Sequence, residues 1–413
     1  MSDPLMAAVA AGSADLVELA SELVRIPTVN PPGERYLDCA RVLARMARAA
    51  GLKTRVVEVS HEEVVKLLPD AHPHRRAIVL GRWDIGAART VHFNAHYDVV
   101  PATAAGWRFG PFEPRVEAGW LYGRGSADMK GSIACLLYAI ATLRRLGIEP
   151  GVNIEVSFTP DEETDSTFGA AWLVRRKMID ADYVVICEGG EGAYVGCGHN
   201  GVLWFEIDVH GKAAHGSTPS RGLNAVEQMS ALVVELRKYA AELMERTFRN
   251  PDGRMRRATI NLGGVTVTHA GGKINTVPAG VTFTVDRRVL PNEDLAEAER
   301  HFRDFVREAC RRIPRLRVTV RKITQHTATF SDPRGSFPRA FAAALARVRG
   351  TRARFTVSSG FNDSHFFAGE GGLPTIGWGP GGENCHGANE RVRVKELIAV
   401  AQTYAEFLRS FSG

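Results

Sequence analysis

Thr90-Val91-His92-Phe93-Asn94-Ala95-His96-Tyr97-Asp98 is a β-rich run that ends on an imidazole, with a carboxylate two residues further on. Three other runs end in a similar way. Residues 152–159 lead to Asp161-Glu162-Glu163, residues 183–187 to Glu188, and residues 374–378 through a glycine-rich turn to His386. A fifth donor, Asp128, stands where a glycine-rich loop enters an apolar helix. In an open α/β sheet, ligands bind beyond the carboxyl ends of the strands. Imidazoles and carboxylates gathered there predict a metal-centred active site.

Working outward from these runs, amphipathic helices are expected over 15–25 and 35–50, with Leu16, Leu19, Ala20 and Leu23 on one face of the first. Strands are expected at 54–59 and 76–81, and helices at 130–146 and 169–177. Strands alternating with helices predict an α/β fold, a largely parallel or mixed sheet flanked by helices. The pattern changes near residue 200. Residues 202–210 alternate like a half-exposed strand, and a long helix follows over 224–244. Strands come next at 258–267 and 281–288, then a helix capped by Asn292 that runs to Ile313, and a strand at 316–324. The order β-α-β-β-α-β is that of a split βαβ, ferredoxin-like unit. Residues 338–413 return to α/β character. The expected organisation is a metal-binding domain from 1–200 and 326–413, interrupted by an inserted α+β domain at 201–325.

With 413 residues, 45% of them hydrophobic and 24% charged, the chain has ordinary globular composition and can bury a large core. Its net charge of +6 arises largely from arginines, clustered at 246–257 and 311–322. Phe248 is the single aromatic residue within those clusters, too few for interleaved stacking, so they read as solvated surface and no nucleic-acid partner is expected. The six cysteines show no CxxC spacing and read as free thiols. No run is long enough to span a bilayer, and residues 1–12 lack a basic leader region, so a cytoplasmic protein without a membrane partner is expected. Gly123-Arg124-Gly125 and Gly379-Pro380-Gly381-Gly382 match neither a P-loop nor a dinucleotide fingerprint, which excludes nucleotide binding.

His96, Asp128, Glu163, Glu188 and His386 offer two imidazoles and three carboxylates. Zinc accepts such nitrogen and oxygen donors and keeps a position open for water in catalytic sites. A carboxylate can bridge two metals about 3.5–4 Å apart, so five ligands with one bridging give each ion three protein groups. Adjacent side chains diverge in an extended segment but can share one cleft from a turn. Within Glu162-Glu163, one carboxylate would then bind metal and the other would move the proton of an attacking water. Asp98 could accept the His96 ring N–H, orienting the ligand.

Three stretches resemble the M20 metallopeptidases: His96-Tyr97-Asp98-Val99-Val100-Pro101, Gly123-Arg124-Gly125-Ser126-Ala127-Asp128-Met129-Lys130-Gly131, and Thr159-Pro160-Asp161-Glu162-Glu163. That family includes acetylornithine deacetylase, succinyl-diaminopimelate desuccinylase, aminoacylase and glutamate carboxypeptidase. The resemblance covers nearly the whole chain. It implies a zinc-peptidase-like fold whose inserted ferredoxin-like domain serves as a lid or dimerisation domain, and hence a homodimer.

The resemblance also implies roles. His96 and Glu188 would hold one divalent ion and Glu163 and His386 the other, with Asp128 bridging. The ions would be zinc, with cobalt or manganese as alternatives. Glu162 would be the general base and Asp98 the partner of His96. His215, in Gly211-Lys212-Ala213-Ala214-His215-Gly216-Ser217, would contact the tetrahedral intermediate, often across a dimer. Asn275 and Arg288 would contact a substrate carboxylate, a task that suits arginine's planar fork; Arg287 is the alternative for Arg288. Glutamate at position 188 accompanies deacylases and carboxypeptidases, and aspartate there accompanies aminopeptidases and dipeptidases. The expected activity is therefore hydrolysis of an N-acyl amino acid, a small molecule with a free carboxylate. A carboxypeptidase or dipeptidase is the alternative, and a catalytically silent binding protein on this fold the remote one. His199-Asn200-Gly201 and 360–365 depart from the family pattern around the substrate pocket.

Overall fold

Asn153–Thr159, Thr90–His96, Tyr183–Ile186 and Thr375–Gly377 lie side by side and parallel in one sheet. Their carboxyl ends therefore open on the same side. Ala77–Trp83 extends the sheet antiparallel to Asn153–Thr159, and Lys53–Glu58 follows it, again antiparallel. On the opposite flank Gly377 pairs with Gly196, in an antiparallel strand that starts at Tyr194. The computed structural model describes residues 3–69 and 73–413. Contacts divide it into one unit of Met1–Gly198, Ser331–Ser358 and Asn362–Gly413, and a second of His199–Phe330 with Ser359–Phe361.

Every residue of Thr90–His96 and Asn153–Thr159 is buried, as befits parallel strands covered on both faces. One face of this pair is nevertheless polar. Cross-strand register sets His92 opposite Glu155, Asn94 opposite Ser157, and His96 opposite Thr159. His92 Nδ1 lies 2.8 Å from Glu155 Oε1, and its Nε2 lies 2.8 Å from Ser157 Oγ. Asn94 Nδ2 donates to Ser157 Oγ at 3.0 Å and to Thr159 Oγ1 at 3.1 Å. Buried polar groups are tolerated when they are bonded in this way. The ladder also fixes register, because a one-residue slip would turn His96 to the other face.

Lys130–Arg145 is apolar nearly all round and almost wholly buried, the mark of a core helix. It packs against Val394–Ser410 and Ser13–Val24. Truncating a buried leucine there, such as Leu136, would cost about 2–5 kcal/mol. Its first residue, Lys130, is buried too, and Nζ donates to the carbonyls of Leu23 at 3.0 Å and Ile26 at 2.6 Å. Those bonds anchor the helix start two residues beyond Asp128.

In the second unit the strands run Thr259–Thr268, Gly280–Val289, Gly201–His210, Val318–His326 across an antiparallel sheet. Helices Ala225–Met244 and Leu295–Arg312 bury Leu232, Leu236, Tyr239, Phe302 and Val306 in a core with Phe205, Ile207 and Phe283 from the sheet. This connectivity is ferredoxin-like. Two details differ from expectation. A hairpin of Thr247–Arg249 and Met255–Arg257 is added, whose three-residue strands are too short to show a period. The second helix is capped by Asp294 rather than Asn292. An N-cap needs a side-chain oxygen facing a first-turn N–H, and Asp294 Oδ1 accepts from Glu297 N at 2.8 Å. Asn292 instead donates to the Thr247 carbonyl at 3.0 Å. Among the described residues, no helix is long and apolar enough to cross a membrane.

Candidate metal centre

Four neighbouring parallel strands deliver their following residues to one place. His96 ends its strand and is buried. Glu162 and Glu163 occupy a short 3-10 turn, Glu162–Thr164, after Asn153–Thr159. That turn starts from Asp161 in the left-handed region, φ 70°, so both glutamates leave the strand direction together. Glu188 follows Tyr183–Ile186, and His386 lies in the loop joining the short paired strands Gly382–Glu383 and Arg391–Arg393. Gly382 allows this hairpin to approach the Asp128 loop, since a Cβ there would collide with Ala127. Close approach, rather than phosphate binding, accounts for that glycine.

His96 Nε2 lies 3.1 Å from Asp128 Oδ1 and 3.9 Å from Glu162 Oε2. His386 Nε2 lies 3.2 Å from Asp128 Oδ2 and 3.2 Å from Glu163 Oε2. Asp128 thus turns one carboxylate oxygen to each imidazole. His96, Glu162 and Glu188 bring ligand atoms within 4.8 Å of one another, as do His96, Asp128 and Glu163.

Charge is concentrated here. Burial pushes the Glu162 carboxyl well above its ordinary range, and the neighbouring Glu188 and Asp363 add to it. Burial likewise raises Glu188, with Asp128, Asp363 and Glu163 contributing, although His96 opposes the rise. Burial also favours a protonated Asp128, but hydrogen bonds from His386 and His96 outweigh it and hold Asp128 below the usual carboxylate range. His386, bonded to Asp128 and Glu163, is pushed up to about 10. Glu188 Oε1 is buried with no hydrogen-bond partner among the described residues. A buried acceptor without a donor is costly, and a cation would satisfy it. Imidazoles mixed with carboxylates form a donor set suited to zinc and similar divalent ions. The residues present therefore fit a divalent-metal centre.

Asp98 has a wider part than its spacing from His96 suggested. Its Oδ1 and Oδ2 accept the backbone N–H groups of Glu162 at 3.2 Å and Glu163 at 3.1 Å. The His96 Nδ1 lies nearer the Asp98 carbonyl oxygen, 3.1 Å, than its carboxylate, 3.4 Å. Asp98 consequently ties the glutamate turn to the strand end that bears His96.

Other supporting residues were not singled out from the sequence. Buried Glu390 accepts the N–H groups of Gly125, Ala127 and Asp128 at 3.0, 3.0 and 3.1 Å, and Arg124 Nη1 at 2.6 Å. It fixes the Asp128 loop. Asn30 Nδ2 donates to Asp98 Oδ2 at 2.9 Å. Asp363 is buried and bonded to Ser166. Their only sequence signal is a polar residue in a loop, which is shared by dozens of positions.

The remaining candidates lie in the second unit and do not all gather at one place. Residues 211–217 pair with 275–279: Gly216 N donates to the Asn275 carbonyl at 2.7 Å and Val277 N to that of Ala214 at 2.9 Å. His215 and Asn275 are thus brought together, beyond the strand ends at His210 and Gly280. The Ser217 N–H donates to His215 Nδ1 at 3.2 Å. In the neutral ring the proton then sits on Nε2, which becomes a donor. Arg288 stands opposite Val202, eight residues along from the Gly280–His210 pair. At about 3.3 Å per residue, that places it roughly 26 Å from that end of the sheet. Alternation along the strand also separates Arg287 from Arg288. Arg287 is buried against Glu293, with Nη2 to Oε1 at 2.6 Å. Arg288 lies on the other face, bonded to Asp286 at 2.9 Å.

The model of peptidase family M20/M25/M40 matches residues 92–410. An uncharacterized metallohydrolase of Methanocaldococcus jannaschii is 24% identical, the match spanning 96% of this chain and 99% of the relative. Succinyl-diaminopimelate desuccinylase of Rhodopseudomonas palustris is 26% identical, over 96% of this chain and 98% of that protein. Among solved structures, an M20 family metallo-carboxypeptidase from Sulfolobus solfataricus has a TM-score of 0.77 at 18% identity, covering 96% of this chain and 98% of its own. A dipeptidase from Saccharomyces cerevisiae also reaches 0.77, at 16% identity, covering 99% and 98%. At these identities the two structures speak for the fold, a mixed sheet flanked by helices.

Proposed function

The chain belongs to peptidase family M20/M25/M40, and on that premise we propose that this amide-bond hydrolase deacylates N-acyl amino acids that carry a free carboxylate. The proposal rests above all on Asp128, which faces the two imidazoles with one oxygen each, beside Glu162. We assign His96 and Glu188 to one divalent ion, Glu163 and His386 to a second, and Asp128 to both. Zinc is the expected metal, with cobalt or manganese able to replace it. When bound, the ions supply positive charge that polarises an amide carbonyl and acidifies water. Glu162 takes the proton of the attacking water and delivers it to the leaving amine. His215 offers its Nε2–H to the oxyanion that develops on the carbonyl. Asn275 and the Arg288 guanidinium hold the substrate carboxylate.

A small substrate is much shorter than the second unit's sheet, which speaks against one chain supplying His215, Asn275 and Arg288 to the same molecule. This favours a homodimer in which His215 and Asn275 serve the neighbouring subunit's metal centre. The exposed Val265 and Val267 on the edge strand Thr259–Thr268, and exposed Ile274 beside Asn275, suit such an assembly. Mixing subunits checks it. His215→Ala and Glu162→Gln proteins, each nearly inactive, should regain about a quarter of wild-type turnover after 1:1 exchange, because each heterodimer holds one intact site. No recovery, despite exchange seen by mass spectrometry, would place His215 in its own subunit.

Relatives named as desuccinylases favour an acylated amine as substrate. Solved structures named as a carboxypeptidase and a dipeptidase support a second reading, a peptide with a free carboxyl terminus. Turnover of acetyl-ornithine, acetyl-lysine, succinyl-diaminopimelate and simple acyl amino acids should be compared with that of dipeptides, using zinc-, cobalt- and manganese-loaded protein and a chelator control. Acyl substrates are expected to give the higher kcat/KM. Preference for the peptides would replace the deacylase assignment, and chelator-insensitive turnover would remove the metal centre from the mechanism.

A further inference from the structure

Beneath the glutamate turn lies a buried ion pair that touches none of the reacting groups. Arg76 precedes the strand Ala77–Trp83, outside the four strands that carry the metal-site residues. Its Nε donates to Asp161 Oδ2 at 2.9 Å, with the two side chains only 1% and 2% exposed. Asp161 Oδ1 also accepts the Tyr36 hydroxyl at 3.1 Å and Asn30 Nδ2 at 3.4 Å. The guanidinium lies 5.1 Å from the centre of the Tyr36 ring. Gly33 passes close above it, where a Cβ would meet the guanidinium.

Asp161 is the joint of the turn. Its backbone holds the left-handed φ of 70° that sends Glu162 and Glu163 towards the metal centre. Its carbonyl accepts the N–H groups of Thr164 at 3.1 Å and Ser166 at 2.7 Å. Aspartate tolerates this conformation better than most residues, but it is still uncommon and must be held by its surroundings. Asp98 holds the turn by its amides, and Arg76 holds it by the one side chain that lies at the joint. Asn30 links the two anchors, since its Nδ2 reaches Asp98, Asp161 and Thr164 Oγ1.

We propose that Arg76, acting through Asp161, is a positioning residue that aims the Glu162 carboxylate and its neighbour Glu163. The inference rests on the assignment of Glu162 as proton carrier. Buried ion pairs often add little net stability, while removing one partner strands the other's charge. Stability and positioning can therefore be separated with a pair of substitutions. Arg76→Met alone should lower Tm, since it leaves Asp161 uncompensated. Arg76→Met with Asp161→Asn should recover Tm, because no unpaired charge remains. The double variant should still lose kcat by on the order of 10- to 100-fold, with KM and metal content little changed, because a misplacement of about 1 Å suffices for that loss. The visible spectrum of the cobalt-loaded double variant should also shift, since Glu163 rides on the same turn.

Wild-type kcat in the stable double variant would overturn the proposal, leaving Arg76 a purely structural residue. If the double variant does not fold, Arg76→Lys keeps the charge but removes the Nε–H that meets Asp161. Wild-type kcat and an unchanged cobalt spectrum in Arg76→Lys would overturn the proposal equally. Glu162→Gln, run in parallel, tests the other assignment: an active Glu162→Gln protein removes Glu162 as proton carrier. Should wild-type protein turn over no substrate, the cobalt spectrum alone decides, and an unchanged spectrum rejects the positioning role.

Discussion

Glu162→Gln is expected to lower kcat by ~10²–10⁴-fold, the range of a lost general base, while metal content by elemental analysis stays at the wild-type level. Glutamine keeps the size of the side chain and a carbonyl oxygen, but it cannot accept a proton at neutral pH. The metal measurement matters because Glu162 lies close enough to His96 and Glu188 to be a ligand itself. A ligand role would make the variant lose metal along with turnover. A proton-carrying role predicts full metal and little turnover. Near-normal kcat would leave Glu162 with neither part.

Asp128→Asn is expected to weaken both ions together, with affinities falling by at least ~10–100-fold, a loss that even supporting residues around metal sites can cause. The geometry behind this is the division of the carboxylate, Oδ1 towards His96 and Oδ2 towards His386. An amide offers one oxygen and one NH₂, and the NH₂ cannot ligate. Dialysis against a graded chelator series, followed by elemental analysis, reads the result. Loss of a single ion would make Asp128 a terminal ligand, and unchanged stoichiometry would remove it from the centre altogether.

The site was unevenly legible in the sequence. His96, Glu162, Glu163, Glu188 and His386 stood out as candidates because each ends or follows an apolar, β-rich run, and parallel strands gather such residues at one side of a sheet. Asp128 could be found from its place between glycines and an apolar helix. The residues that hold these groups gave no such signal. Glu390 lies 262 positions from the Asp128 amide that it accepts, and Arg76 lies 85 from Asp161. Partners so distant leave no spacing to read. The polar face of the His92 and Glu155 strands was equally hidden, because alternation in one strand does not say which residue stands opposite in another.

The second unit shows the same division. Its strand and helix order could be read from the change of period near residue 200, and the order alone suggested a ferredoxin-like sheet. That His215 and Asn275 are neighbours, and that Arg288 lies at the far end, follows only from the pairing register. The choice between Arg287 and Arg288 likewise needed the face on which each side chain lies.

Local periodicity, turn residues and the motifs around His96, Asp128 and Glu163 were enough by themselves to give the class of fold and the donor types of the candidate centre. Those properties depend on residues near one another in the chain, so they are written in its order. Which carboxylate oxygen faces which imidazole, how Asp98 and Asp161 hold the glutamate turn, and where Arg76 and Glu390 act were decided only by the tertiary structure. Hydrogen bonds and ion pairs at about 3 Å depend on the packing of whole strands and helices, and no short window of sequence records that packing.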